Sequence, residues 1–245
     1  MNQVAMDQVW QARVDLAAAY RLAVRFGFSE GIDNHFTMMV PGSKDRFLLN
    51  AFGLHWSEVT ASNLLVVDGK GRVVEGEGEA ETTAVCIHAP IHNANPNATC
   101  IMHTHMPYAT ALSMLEGGRL EPVSQTALRF YDGVAYDEDY NGLAMQLDEG
   151  ERLSKVLDGR RVLLMANHGI TVVGRSVAEA FEDLYFFERA CQIQFIAMQS
   201  GRALKNIPTQ IAQSTFRGLD NARDAMLHFN ALKRILDHEE PDYAQ

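Results

Sequence analysis

Basic charge is scarce in this chain. Its 245 residues hold 21 Lys and Arg against 31 Asp and Glu, a formal net charge of −10. It therefore lacks the positive balance that binding a phosphate backbone calls for. Cysteine is sparse too: Cys86, Cys100 and Cys191 are the three, with no Cys-x-x-Cys pair. That argues against a disulfide scaffold and for a reducing, cytoplasmic compartment. No apolar run approaches the roughly 18 residues needed to cross a bilayer. The stretch Met1–Asp7 has neither the basic n-region nor the apolar h-region of a secretory signal. Also missing are a Gly-x-Gly-x-x-Gly fingerprint, a P-loop and a Gly-x-Ser-x-Gly elbow, and no cysteine has an obvious adjacent base. What is present is apolar bulk, 47% of residues, enough for a packed core. Present too are nine histidines. That surplus makes the chain a candidate metalloprotein before any motif is read.

Apolar spacing predicts a helix over about 7–26, stopped by Gly27. From about 34 to 75 the pattern shortens to extended runs. Phe36–Val40 ends at Pro41-Gly42, and Phe47–Leu49 follows; Leu64–Val67 and Arg72–Val74 flank the turn Asp68-Gly69-Lys70-Gly71, which reads as a hairpin. Strands so close in sequence are expected to pair antiparallel. Beyond residue 80, helices and strands alternate. A helix is predicted near 82–94, a strand over Ala98–His103, and a helix from Pro107 through Leu115. Val162–Met165 and Ile170–Val173 read as buried strands, and the capping box Ser176-Val177-Ala178-Glu179 opens a long helix to about Met198. Ala222–Leu236 is again amphipathic. Met114, Met145, Met165 and Met198 lie in apolar stretches and read as core filler. With no repeat, low-complexity tract or linker, the expectation is a single domain over 1–245, with a core about 14–200 and a helical tail about 208–245. The mixture of elements predicts a layered α/β/α architecture.

The sharpest chemical constellation is His103-Thr104-His105 at the end of a predicted strand. Positions i and i+2 of a strand share a face, so both imidazoles can meet one metal ion. His168, in Asn167-His168-Gly169 between two strands, is the candidate third ligand. Three histidines would leave positions open for substrate or water, the pattern of a catalytic site; the competing reading is three unrelated surface or core residues. His88 and His92 stand at i, i+4 on the 82–94 helix, but Pro90 lies between them and no third ligand is near, so supporting or packing roles are expected. The acidic stretch Glu75–Glu81, with glycines between the carboxylates, and Asp137-Glu138-Asp139 both read as mobile, solvated segments.

Five strings in order resemble the class II aldolase/adducin family, over about Val14 to Ala197. They are Glu30-Gly31-Ile32-Asp33-Asn34-His35-Phe36-Thr37, Asn50-Ala51-Phe52-Gly53-Leu54-His55-Trp56-Ser57-Glu58-Val59, His103-Thr104-His105, Leu128-Arg129-Phe130-Tyr131 and Asn167-His168-Gly169. The string Glu188-Arg189-Ala190-Cys191-Gln192 in the long helix is a further mark. The resemblance implies a three-layer α/β/α fold with a mixed, mostly antiparallel central sheet, and a homotetramer with sites between subunits. It assigns a divalent metal, usually zinc, to His103, His105 and His168, where it would stabilise an enolate as a carbon–carbon bond breaks. The chain also departs from the family pattern. Where family aldolases carry a catalytic glutamate (an aspartate in related epimerases), the helix has Ala84. Thr82 and Thr83 match serines that contact sugar phosphate, His35 takes the place of a phosphate-contacting asparagine, and Gly53 matches a glycine that lets backbone approach the same group.

Three functions are compatible with these features. The first is a metal-dependent lyase acting on a small hydroxy-carbonyl or 2-oxo acid substrate, with His35, Tyr131 or Glu81 supplying the proton transfer that Ala84 does not. The second is a three-histidine Fe(II) oxygenase resembling the branch of the family that oxidatively decarboxylates arylpyruvates, whose chemistry needs no such glutamate. The third is a non-catalytic scaffold like the adducin head domains. The first is expected here. His55 sits in a family string, and His228 and His238 have no assigned role.

Overall fold

Residues 3–221 and 223–245 are described in this computed structural model. The first half comprises α1 (Gln3–Phe26), β1 (His35–Met39), β2 (Arg46–Leu49), β3 (Leu65–Asp68), β4 (Val73–Glu75), α2 (Thr82–Ala94) and β5 (Cys100–Thr104). The second comprises α3 (Pro107–Ser113), β6 (Val134–Asp137), α4 (Leu147–Leu157), β7 (Val162–Met165), β8 (Gly169–Gly174), α5 (Val177–Met198), α6 (Thr209–Asn221) and α7 (Ala225–Glu239). The eight strands form one sheet in the order β4-β3-β2-β1-β5-β8-β7-β6. Every neighbouring pair is antiparallel except β6–β7, which is parallel. The sheet is thus mixed and mostly antiparallel, as expected.

The two-residue period of the strands sorts their side chains into layers. On β5, Cys100 and Met102 join an apolar cluster with Leu16, Leu22, Phe181 and Phe187 of α1 and α5. Ile101, between them, joins Ile87 and Ile91 of α2 and Leu153 and Leu157 of α4. The same alternation divides Val162 and Leu164 from Leu163 and Met165 on β7. Helices therefore cover both faces, with α1, α3, α5 and α7 on one and α2 and α4 on the other.

The helix α2 runs through Pro90. Proline has no N–H for the Cys86 carbonyl one turn earlier, and α4 comes down on that spot. A Cβ at Gly150 would lie 2.1 Å from Cys86 O and 2.9 Å from Pro90 Cγ, so only glycine admits this approach.

Several expectations are corrected. The first helix begins by Gln3, because its opening turn is solvent-exposed and no apolar periodicity marks it. Strand β6 and helix α4 add to the expected elements. The tail holds two helices, α6 and α7; Ala222, where the amphipathic stretch starts, lies outside the described residues, as do Met1 and Asn2. Met165 is core, but Met114, Met145 and Met198 are 62%, 51% and 37% exposed, so they fill no core. Nor is Asp137 solvated: it ends β6, is buried, and accepts both Nη1 and Nη2 of Arg152 at 2.7 and 2.5 Å. In the acidic stretch, Glu75 binds the Arg13 guanidinium and Glu81 caps α2, while the carboxylates between them stay exposed.

Candidate metal centre

Three histidines converge where β5, β8 and the β7–β8 turn meet. In β5, His103 pairs in register with Thr171 of β8, and Thr104 with Ile170. His103 and His105 then point to the face that carries α2. The turn Ala166-Asn167-His168 joins β7 to β8, held by His168 N donating to Met165 O at 3.2 Å, with Asn167 at φ +57. Asparagine tolerates that left-handed conformation better than most residues. Gly169 follows, and a Cβ there would stand 2.5 Å from Thr104 O and 2.9 Å from His105 Cδ2. Its missing side chain lets the turn close on His105. Ligand nitrogens of His103, His105 and His168 all lie within 4.8 Å of one another.

The hydrogen bonds fix which nitrogens face inward. His103 Nδ1 is 3.0 Å from Ile170 O, and a carbonyl only accepts, so Nδ1 carries the proton. His105 Nδ1 lies 2.5 Å from Glu30 Oε2, and the same argument applies. In neutral rings both Nε2 atoms are then bare lone pairs, and they face each other at 3.2 Å. Two acceptors in that position repel unless a proton or cation lies between them. Metal–nitrogen bonds of about 2.0–2.1 Å in tetrahedral geometry separate ligand nitrogens by about 3.3 Å, so the pair fits a divalent ion such as zinc. Carbonyl and carboxylate partners behind ligand histidines are the usual means of orienting them. Burial holds His103 well below its ordinary pKa, with His168 and His35 adding to the effect. His168 is pushed down to about 4, chiefly by burial and then by His105, against the pull of Glu149 and Asp137. Both imidazoles are thus neutral, the form that ligates metal.

The other residues singled out in the sequence fall in different places. His35 pairs with His103 across β1–β5, and its ring centroid is 4.9 Å from that of His103. Glu81 is the N-cap of α2, accepting from Thr83 N and Ala84 N at 3.0 and 2.7 Å, and its Oε2 is 3.6 Å from His35 Nε2. Thr83 lies beside both, while Thr82 is exposed at the first helical position. Ala84 is fully buried in an apolar cluster with Phe47, Leu49 and Leu65. Gly53 adopts φ +92 in the exposed turn after β2, where glycine is favoured. Tyr131 lines a different cleft, with Arg119, Phe130 and Arg160, that contains none of the three histidines. His55 caps a short 3-10 segment, Trp56–Glu58. His228 packs against Tyr185 and Phe186.

Residues whose role the sequence did not assign also frame the centre. Glu30 orients His105, and Asn34, at φ +72, accepts from His105 N through Oδ1 at 3.1 Å. Tyr140 meets His168 edge-on at 6.2 Å. Glu30 and Asn34 are remote from His105 in sequence; only their place in a motif string hinted at function.

Comparison with known proteins gives consistent relatives. The profile described as "Class II Aldolase and Adducin N-terminal domain" matches residues 14–195. A crystal structure of an aldolase II superfamily protein from Pseudomonas syringae is 38% identical, superposes with a TM-score of 0.91, and covers 97% of this chain and 96% of that one. An L-fuculose 1-phosphate aldolase from Glaciozyma antarctica is 25% identical at a TM-score of 0.87, over 100% of this chain and 96% of its own. Human β-adducin is 34% identical over 92% of this chain, which corresponds to 33% of that longer protein.

Proposed function

The chain belongs to the class II aldolase and adducin family, and from that premise we propose that it is a divalent-metal-dependent enzyme of the lyase type. It makes or breaks a carbon–carbon bond in a small hydroxy-carbonyl or 2-oxo acid compound. The observation that carries this reading is the convergence of His103 Nε2 and His105 Nε2 at 3.2 Å with His168 alongside. In it, His103, His105 and His168 hold the ion, zinc in the first instance and Fe(II) as the alternative. A divalent ion there supplies Lewis-acid polarisation of a carbonyl and a neighbouring hydroxyl oxygen.

The chain's own groups do the rest. His35 Nε2 and the Glu81 carboxylate hold and move the proton, since Ala84 offers no acid or base. The hydroxyls of Thr82 and Thr83 and the backbone at Gly53 bind the polar end of the substrate. Tyr131, in its separate cleft, acts on the centre of a neighbouring subunit in a homotetramer whose sites lie at subunit interfaces. Three buried free cysteines support a cytoplasmic setting, and no helix of the described residues is long and apolar enough to cross a membrane.

Retro-aldol assays over a panel of hydroxy-carbonyl and 2-oxo compounds, with zinc, cobalt and manganese in turn, test the proposal. Turnover that disappears in His103→Ala is expected; no turnover with any metal contradicts it. A second reading, a non-catalytic scaffold, is favoured by the adducin similarity together with Ala84. It predicts His103→Ala changes packing alone. The oxygenase alternative draws no support from these relatives.

A further inference from the structure

Behind the three-histidine group, His35 leads into two further histidines, His88 and His92, that the proposed chemistry does not use. On β1, His35 and Thr37 are two residues apart and so face α2 together, alongside His103. On α2, His88 and His92 are four residues apart and face the sheet. The two pairs interleave in a continuous line. His35 Nδ1 is 3.0 Å from His88 Nε2, His88 Nδ1 is 2.7 Å from Thr37 Oγ1, and Thr37 Oγ1 is 2.8 Å from His92 Nε2. The line ends with His92 Nδ1, 2.5 Å from the carbonyl oxygen of Ala98. His35, Thr37 and His88 are buried.

That carbonyl gives the line a direction. It can only accept, so His92 Nδ1 carries a proton and, in a neutral ring, His92 Nε2 does not. Thr37 must then donate its single hydroxyl proton to His92, which leaves Oγ1 to accept from His88 Nδ1–H. His88 Nε2 is consequently bare and accepts from His35 Nδ1–H. Burial keeps the two α2 rings neutral, with His92 pushed down to about 4 and His88 well below its ordinary value, and His35, buried at the end of the line, donates through Nδ1. Reversing any link would set two acceptors or two protons against each other.

We propose that His92, Thr37 and His88 are positioning residues that lock His35 in its Nδ1–H tautomer, presenting a bare Nε2 beside the three-histidine group as the acceptor for a substrate hydroxyl. Among the described residues, no group with a free proton faces that nitrogen. Thr83 Oγ1 lies 3.4 Å away but gives its proton to Glu81 Oε2 at 2.6 Å, and Glu81 Oε2, 3.6 Å from His35 Nε2, is itself an acceptor. The donor has to come from the ligand or from water. The inference rests on the lyase reading and narrows it, requiring a substrate with a hydroxyl group next to the atom held at the centre.

Long-range proton–nitrogen correlation spectra of the intact protein, labelled with ¹⁵N-histidine and assigned with His35→Gln, read the tautomer directly. The expected result is a protonated Nδ1 and an unprotonated Nε2 for His35. Thr37→Val removes the hydroxyl that orders the line, and His35 should then divide between both tautomers, whereas Thr37→Ser should restore the original one. Adding glycolate, which carries a hydroxyl, should shift His35 Nε2, whereas acetate should not. A wild-type His35 protonated at Nε2 overturns the proposal, even if Thr37→Val fails to fold. So does an unchanged tautomer in folded Thr37→Val, or an Nε2 response to glycolate no larger than that to acetate. Metal content measured on the same samples separates this outcome from failure of the lyase reading. Protein without metal but with the expected tautomer defeats only the latter, and metal-bearing protein with the opposite tautomer defeats only the former.

Discussion

Gly169→Ala isolates the steric part of the metal centre. The backbone at Gly169 is not in the left-handed region, so alanine meets no conformational strain there. What it meets is Thr104 O at 2.5 Å, about 0.9 Å inside an ordinary contact of 3.4 Å, with His105 Cα at 3.3 Å. Both neighbours belong to the β5 strand end that carries His103 and His105, and neither is the far end of a flexible side chain. The β7–β8 turn must therefore back away from β5 by several tenths of an ångström, taking His168 with it. Overpacking of this kind costs about 1–3 kcal/mol, and a ligand set opened by that much should lose metal affinity by about 10–100-fold, the range seen when ligand orientation is disturbed. Urea unfolding of the metal-free protein reads the first effect, and competition with a chromophoric chelator reads the second. If alanine changed neither, the close approach at Gly169 would not be what assembles the centre.

Other consequences can be measured separately. His92 is pushed down to about 4 by burial, while the unfolded chain titrates near 6.5, so the unfolded state binds the extra proton in between. Stability of the metal-free protein should be full above roughly pH 6.5 and fall as pH drops toward 4, by about 2 kcal/mol at pH 5 from His92 alone; urea midpoints that do not move between pH 7.5 and 5 would refute this. Glu30→Gln weakens the acceptor behind His105 Nδ1, and chelator competition should show metal affinity reduced about 10-fold or more. Arg152→Ala strands the buried Asp137 carboxylate and should cost about 3 kcal/mol in urea unfolding, with Asp137→Asn recovering much of it in the double variant.

Legibility of the fold in the sequence followed burial. Strands such as Val162–Met165 are apolar throughout because both faces are covered, and they could be read directly. Strand β6, Val134–Asp137, ends on an aspartate whose neutralising partner, Arg152, lies fifteen residues on in α4, so its charge suggested solvent. Within the centre, His103 and His105 were legible because a strand puts i and i+2 on one face. Their orientation was not, since Glu30 and the Ile170 carbonyl act across strands that only folding brings together. For His88 and His92 the sequence pointed only to supporting or packing roles, because the Thr37 hydroxyl that joins them lies more than fifty residues upstream.

Everything proposed for the site requires that His103, His105 and His168 hold a divalent metal ion. Elemental analysis of protein purified without added metal, beside the His103→Ala variant, tests it most directly. One divalent ion per chain, zinc first, is expected, and its loss in a folded His103→Ala protein. A wild-type protein without stoichiometric metal, or a His103→Ala protein that retains the full complement, would contradict it.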